Sequence, residues 1–337
     1  MEVSEDHPLL LDTFLQDAVE IDVDAVCDGR DVVLAGILEH IEKAGIHSGD
    51  SSQVFPPQTI PAEVLEETAA VTRRVALELG VAGMLNLQFA WNREGIFVLE
   101  VNPRVSRTVP FLSKARNIPF ARLAARIMVG RKIADLEELK GLADIPAKNP
   151  RVFVKASVFP FARLLGEDPV LGPEMKSTGE VMGVSPEFGG AFAKALSSAG
   201  IPLPEAGGIF LSVRDADKPE LLPLARAFSE AGFRLFATSG TRQYLEENGV
   251  AADAAFKVGE GSPNAVELSR SGELQLVINT PLGRKSQYDE TAIRCTAIAM
   301  GIPCITTIEG AWAAVEGMKA LRQGRLSVSS IQSWPKG

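Results

Sequence analysis

The sequence lacks the features that mark several common classes. Its three cysteines, Cys27, Cys295 and Cys304, form no CxxC pair and have no histidine at a zinc-ligand spacing. That excludes a zinc knuckle and leaves buried thiols as the expectation. Apolar runs such as Val32-Val33-Leu34-Ala35-Gly36-Ile37-Leu38 fall far short of the roughly 20 residues that cross a bilayer. No basic-then-apolar leader opens the chain, so a cytoplasmic location is expected. Neither GxxxxGK(S/T) nor GxGxxG occurs, which excludes phosphate loops of those types. Basic excess is missing too: the formal net charge is -9 and the pI is near 5.1. A general nucleic-acid or anionic-membrane binder needs the opposite balance, so any phosphate site must be local.

What is present suits a soluble α/β protein: 337 residues, 46% hydrophobic and 23% charged, enough for two domains. From Val19 to Val26 apolar and acidic residues alternate at the period of a half-buried strand, and Asp28-Gly29 is a hairpin turn signal before a return strand over Val32 to Ile41. Gly45 to Gln58 reads as a loop. Ala62 to Leu79 reads as a helix, with Pro61 at its start and Gly80 at its end. Met84 to Trp91 and Ile96 to Val101 make a second hairpin, and Ala115 to Gly130 a further helix. Leu142 to Pro150 and Pro160 to Pro173 are rich in Pro, Gly and charge, and the second stretch with its continuation to Gly190 looks extended and irregular. After Pro202 and Pro204 strands and helices take turns, from Ile209 to Val213 through Gly310 to Leu321. That alternation predicts a small parallel α/β domain, with the boundary near Ala199 to Pro204.

Chemistry concentrates in Glu100-Val101-Asn102-Pro103-Arg104-Val105-Ser106-Arg107. The period of two puts Val98, Glu100 and Asn102 on one strand face and Phe97, Leu99 and Val101 on the other. Across the hairpin, Gln88 can bring an amide oxygen to the same side. One carboxylate with neutral oxygens is a donor set for Mg²⁺ or Mn²⁺, which complete their shells with water and phosphate. Arg104 and Arg107 follow at once, and guanidinium forks suit phosphoryl oxygens. The competing reading is a polar strand edge with solvated arginines.

Gln88, EVNPR, DAVEIDVDAVCDG, HIEKAGIHSGDS and LLGPEMKSTGEVMGV together resemble the large subunit of carbamoyl phosphate synthetases, over essentially the whole chain. The resemblance implies an α+β ATP-grasp subdomain at 1–135, a connecting segment packing on it at 136–200, and a Rossmann-like parallel α/β domain at 201–337. It implies metal ligands at Gln88, Glu100 and Asn102, and phosphate-binding arginines at Arg104 and Arg107. Nucleotide contacts are implied at Thr13, Leu15, Glu20, Gly45, Ile46, His47 and Ser48. The implied reaction is ATP- and Mg²⁺-dependent phosphorylation of carbamate, with a glutaminase subunit and the rest of the large subunit as partners. The family's glycine-rich ATP-grasp loop is expected outside this chain, so the chain alone is expected not to turn over. His40, Glu42 and Asp50 match parts of the family's ornithine site, while Ala156 stands where a further carboxylate is expected.

In the second domain, Thr238-Ser239-Gly240-Thr241 lies between a strand and a helix start, where backbone amides favour an anion or the threonine simply caps the helix. This half resembles methylglyoxal-synthase-like regulatory domains. Lys218, Thr238, Thr241, Lys257 and Asn279 then match positions that hold UMP or IMP. Ser239 stands where some relatives have His, and Pro281 replaces a hydroxyl residue. The Gly-Gly-Asp-Gln-Gln string of methylglyoxal synthases is missing, so no catalysis is expected there. An effector-binding module without catalysis is the alternative for the whole chain, and another ATP-grasp carboxylase a third that the paired regulatory domain disfavours.

Overall fold

The structure is a computed structural model that describes residues 13, 15–142, 151–164, 166–281, 287–324 and 326–333. Seven strands form the first sheet: β1 (Val19–Asp28), β2 (Val32–Lys43), β3 (Gln53–Phe55), β4 (Ala82–Asn92), β5 (Gly95–Asn102), β6 (Val152–Val158) and β7 (Gly179–Ser185). Their order is β5-β4-β1-β2-β3-β6-β7 and every neighbouring pair is antiparallel. Ile21, Val23 and Ala25 of β1 face helix α1 (Ala62–Glu78), whose Val64, Leu65 and Ala69 join them in one cluster.

The opposite face is covered as well. There Val26, Leu38 and Met84 pack under α2 (Thr108–Arg116) and α3 (Phe120–Met128). β1 is therefore buried on both sides, not half-buried as its alternation suggested, and its acidic residues lie inside the protein.

Three further expectations are corrected. The Gly45–Gln58 loop contains β3, three residues that bridge β2 to β6. The single helix expected over Ala115–Gly130 is two: Asn117 adopts φ 54 and closes α2 as its left-handed cap, and Pro119 precedes α3. The stretch from Pro160 to Gly190, expected to be irregular, ends in β7 and the start of α4 (Phe188–Ser198). Here glycine does the work: a Cβ on Gly183 would lie 1.9 Å from Ala191 O, so only glycine lets α4 approach β7. Most of Leu142 to Pro150 lies outside the described residues.

The second sheet is parallel throughout, in the order β10-β9-β8-β11-β12, from β8 (Gly208–Ser212), β9 (Arg234–Ala237), β10 (Asp253–Ala254), β11 (Leu274–Asn279) and β12 (Cys304–Ile305). It is flanked by α5 (Lys218–Glu230), α6 (Ser239–Glu247), α7 (Ala265–Arg270), α8 (Gln287–Ala299) and α9 (Ile308–Arg322). Short β10 and α7 carry too little pattern to read from sequence, although a reciprocal Asn264–Glu267 capping box starts α7. One core cluster runs through both sheets: Val152, Val154 and Ala156 of β6 and Phe192 of α4 join Ile209, Leu276 and Met318. Among the described residues no helix is long and apolar enough to cross a membrane.

Candidate phosphate and metal site

Gln88 pairs directly with Glu100, and Asn86 with Asn102, across β4 and β5. Paired residues share a sheet face, so the expected trio of Gln88, Glu100 and Asn102 does assemble. Its strand is less regular than its sequence. A bulge leaves Leu99 unpaired, after which Phe89 pairs with Val98 and Ala90 with Phe97. Val98 therefore joins the face of Val101 and Phe97 that of Glu100, the reverse of strict alternation. The bulge bends β5 where Glu100 emerges exposed beside the half-buried Asn102.

A cleft opens next to this trio, lined by His47, Ser48, Gln88, Arg104 and Arg107 from the expected set, together with Asp22, Gly49, Asn86, Ser106, Thr108 and Lys155. Gln88 Nε2 donates to Ser48 Oγ at 2.8 Å, which ties β4 to the loop across the cleft. Arg107 Nη1 donates to Ser177 Oγ at 3.1 Å, and its Nε lies 3.8 Å from Glu180. Asp50 accepts from the amides of Lys176 and Ser177 at 2.7 and 2.9 Å, holding that segment against the cleft. His47 N donates to Gly172 O at 2.8 Å, and its Nδ1 accepts from Gly49 N at 3.0 Å. The loop of His47 and Ser48 is thus shaped by its own backbone and by the segment before β7.

Beneath the cleft lies a buried polar floor. Asp22 accepts from Gln53 Nε2 at 2.7 Å and lies 3.0 Å from His40 Nε2, while Asn86 Nδ2 reaches both Asp22 and Asp24, at 3.3 and 3.2 Å. Burial raises the Asp22 pKa, but His40 and Lys155 outweigh it and hold the carboxyl below its usual range. At Asp24 burial outweighs the hydrogen bonds from Thr108 and Ser106, and the carboxyl is pushed up to about 6. Lys155 is 1% exposed and donates to Ser48 O at 3.2 Å; burial depresses its pKa against the pull of Glu180 and Asp22. Sequence reasoning passed over Lys155 because β6 carries no local signal. Asp22 and Asp24 were readable, since they continue the period of Glu20 along β1.

The remaining expected nucleotide contacts are spread out. Glu20 is buried, accepts from Gly45 N at 3.1 Å and lies 3.3 Å from His40 Nδ1; burial raises its pKa. Gly45 is exposed, Ile46 half-buried, Thr13 exposed and Leu15 half-buried, and none of these lines the cleft. Of the cysteines only Cys27 is buried; Cys295 and Cys304 are half-buried, which corrects the expectation for those two.

The donor set fits a hard divalent cation. Glu100 would supply a carboxylate, and Gln88 and Asn102 neutral oxygens, from one face of the β4–β5 pair. Among the described residues no group of His, Cys, Asp or Glu side chains could hold a metal by itself. A site of this kind depends on phosphate and water for the rest of its shell, as Mg²⁺ sites on nucleotides do.

In the parallel sheet, Ser212, Ala237 and Asn279 end β8, β9 and β11 at one edge. Thr238 precedes α6 without a side-chain capping bond to the helix backbone, and its Oγ1 lies 3.4 Å from both Thr241 Oγ1 and Ser212 Oγ. Lys218 Nζ pairs with Asp215 at 2.7 Å and sits over Gly240, so cation, hydroxyls and helix start converge. Lys257 is half-buried beyond β10. Asn279 is fully buried: it donates to Ser212 O at 3.1 Å and accepts from Arg294 Nη1 at 2.6 Å, so it underlies the site instead of facing outward.

Comparison with known families gives two separate matches. Residues 2–136 match the carbamoyl-phosphate synthase L chain ATP binding domain, and residues 220–306 the MGS-like domain. The carbamoyl phosphate synthase large chain of Acidobacterium capsulatum is 50% identical over 334 residues, 98% of this chain and 30% of that one. A carbamoyl phosphate synthase large chain, C-terminal section, of Methanocaldococcus jannaschii is 47% identical over 337 residues, 98% of this chain and 54% of that one. The chain thus spans between about a third and a half of the length of these relatives.

Proposed function

Because this chain is a homologue of the carboxyl-terminal section of carbamoyl phosphate synthase large chains, we propose that it carries the site where ATP phosphorylates carbamate, together with a nucleotide-sensing domain. The observation that bears most weight is the Gln88–Glu100 pair set beside the cleft of Arg104 and Arg107. Phosphoryl transfer is catalysed by positioning and charge neutralisation. Arg104 and Arg107 bind the transferred group, and Gln88, Glu100 and Asn102 would hold Mg²⁺ or Mn²⁺, which would supply charge neutralisation at the phosphate oxygens. Gly45, Ile46, His47 and Ser48 form a nucleotide-contacting loop, Glu20 hydrogen-bonds the ribose, and Thr13 and Leu15 line the adenine pocket.

The reaction yields carbamoyl phosphate for pyrimidine and arginine precursors, in the cytoplasm, with ammonia from a glutaminase subunit and the remainder of the large chain completing the enzyme. Residues 1–135, 136–200 and 201–337 are the working units. In that assembly, Glu100→Gln should weaken Mg²⁺ activation of ATP synthesis from ADP and carbamoyl phosphate on the order of 10²-fold. An unchanged Mg²⁺ dependence would overturn the metal assignment.

The effector is a nucleoside monophosphate, UMP or IMP, with its phosphate on the Thr238–Thr241 turn beside Lys218, near Lys257, and with Asn279 beneath. Thr238→Ala removes a hydrogen bond to a charged group and should weaken UMP or IMP binding about tenfold or more. Calorimetry on the chain measures this. Loss of effector binding in Thr238→Ala, combined with no ATP synthesis in the assembly and no Mg²⁺-ATP binding that Glu100→Gln weakens, would leave an effector-binding module without catalysis.

A further inference from the structure

The geometry points to Asp24 as the positioning residue for Arg107, acting through the two hydroxyl side chains that flank it. Asp24 is 0% exposed at the centre of β1. Its carboxylate accepts from Ser106 Oγ at 2.7 Å and from Thr108 Oγ1. Those two hydroxyls are 2.6 Å apart, and Thr108 N also donates to Ser106 Oγ at 3.2 Å. The third donor is Asn86 Nδ2. A buried carboxylate is costly unless its oxygens are used, and here they are used by hydroxyls and an amide instead of a cation. Two of these three partners sit one residue before and one residue after Arg107.

The consequence is a fixed pedestal. Ser106 is 9% and Thr108 4% exposed, while Arg107 between them reaches outward into the cleft. Arg107 occupies the turn into α2 and takes no side-chain cap of its own, so nothing in the helix start sets its direction. Asn86 extends the support sideways: it joins Asp24 to Asp22, and Asp22 through Gln53 to the carbonyl of Ser48 at 3.3 Å on the opposite wall. One buried carboxylate pair therefore sets the spacing between the arginine wall and the Ser48 wall.

This inference rests on the reading of Arg107 as a phosphate-binding arginine, and its test is built to separate the two. In the assembled enzyme, Asp24→Asn keeps the volume of the side chain but sets an amide N–H₂ against one hydroxyl. The kcat for ATP synthesis from ADP and carbamoyl phosphate should fall on the order of 10²-fold, the cost of an ångström-scale misplacement, with KM for ADP changed by less than about threefold. Thr108→Val and Ser106→Ala should each give a smaller fall in kcat, and adding either to Asp24→Asn should cost little more, as expected for groups acting through one contact. If Asp24→Asn fails to fold, Thr108→Val and Ser106→Ala carry the test alone. Unchanged kcat in these variants, beside a strong loss in Arg107→Ala, overturns the positioning role and leaves the site reading intact. Unchanged kcat in Arg107→Ala as well overturns both.

Discussion

Arg107→Ala in the assembled enzyme should reduce ATP synthesis from ADP and carbamoyl phosphate by roughly 10³- to 10⁵-fold, the range seen when an arginine that stabilises a transferring phosphoryl group is removed. The guanidinium is tethered on one side to Ser177 and faces Glu180, so it is held at the cleft before any phosphate arrives. Preorganisation of this kind is worth most at the transition state, where charge on the phosphoryl oxygens is greatest. The loss should therefore fall on kcat more than on KM for ADP. Arg107→Lys should recover little, because an ammonium supplies a point charge in place of a planar fork. Steady-state kinetics in the carbamoyl-phosphate-consuming direction decides it: a loss below about tenfold in Arg107→Ala would remove this residue from the phosphoryl contacts.

The second large effect is on stability and concerns Arg294. This arginine on α8 has a side chain 2% exposed, yet it donates to Asp168 from Nε at 2.8 Å and from Nη2 at 2.5 Å. Its Nη1 reaches Asn279 at 2.6 Å and lies 3.5 Å from the buried Glu290. Asp168 also accepts from Thr291 Oγ1 at 2.6 Å, so the segment before β7 is clamped onto α8. Arg294→Met leaves the carboxylates without their cation, and breaking a buried pair in this way costs about 3–5 kcal/mol. Asp168 keeps a partly exposed side chain, so the lower end is expected. Urea unfolding should show it, and Arg294→Met combined with Glu290→Met should recover part of the loss.

The pH dependence has a definite sign. Burial raises the Asp168 pKa, but the hydrogen bonds from Arg294 and Thr291 outweigh it and hold the carboxyl below its usual value. Its contribution is present above the unfolded pKa of about 3.9 and disappears as pH falls through the lower folded value. The gap between wild type and Arg294→Met should thus narrow below about pH 4 and stay constant from there toward neutrality. A gap that widens on acidification would place the stabilisation elsewhere.

Much of the site was legible in the sequence because its parts are local. Glu100, Asn102, Arg104 and Arg107 lie within one strand and the turn after it, so the period of two and the arginine spacing already suggested an anion and metal edge. Gln88 needed a hairpin register, which the Asn92–Gly95 turn supplies. Asn279 was legible as a strand-end residue, but its burial under Arg294 depends on α8, which sequence pattern could not dock. The polar stripe of β1 was visible as alternation, yet the alternation pointed to solvent.

The sequence by itself determined the class of the protein, the order of most strands and helices, and the chemistry at the end of β5, because periodicity, turn residues and a contiguous motif act over a few residues. Tertiary structure alone decided that Asp22 and Asp24 are buried beneath the cleft, that Lys155 from a strand more than fifty residues beyond Glu100 lines it, and that the bulge at Leu99 reverses the faces of Phe97 and Val98. It also decided the Asp168–Arg294 clamp. Each of these depends on which surfaces meet across the sheets, and the burial and hydrogen bonds formed there exist only once distant segments have packed.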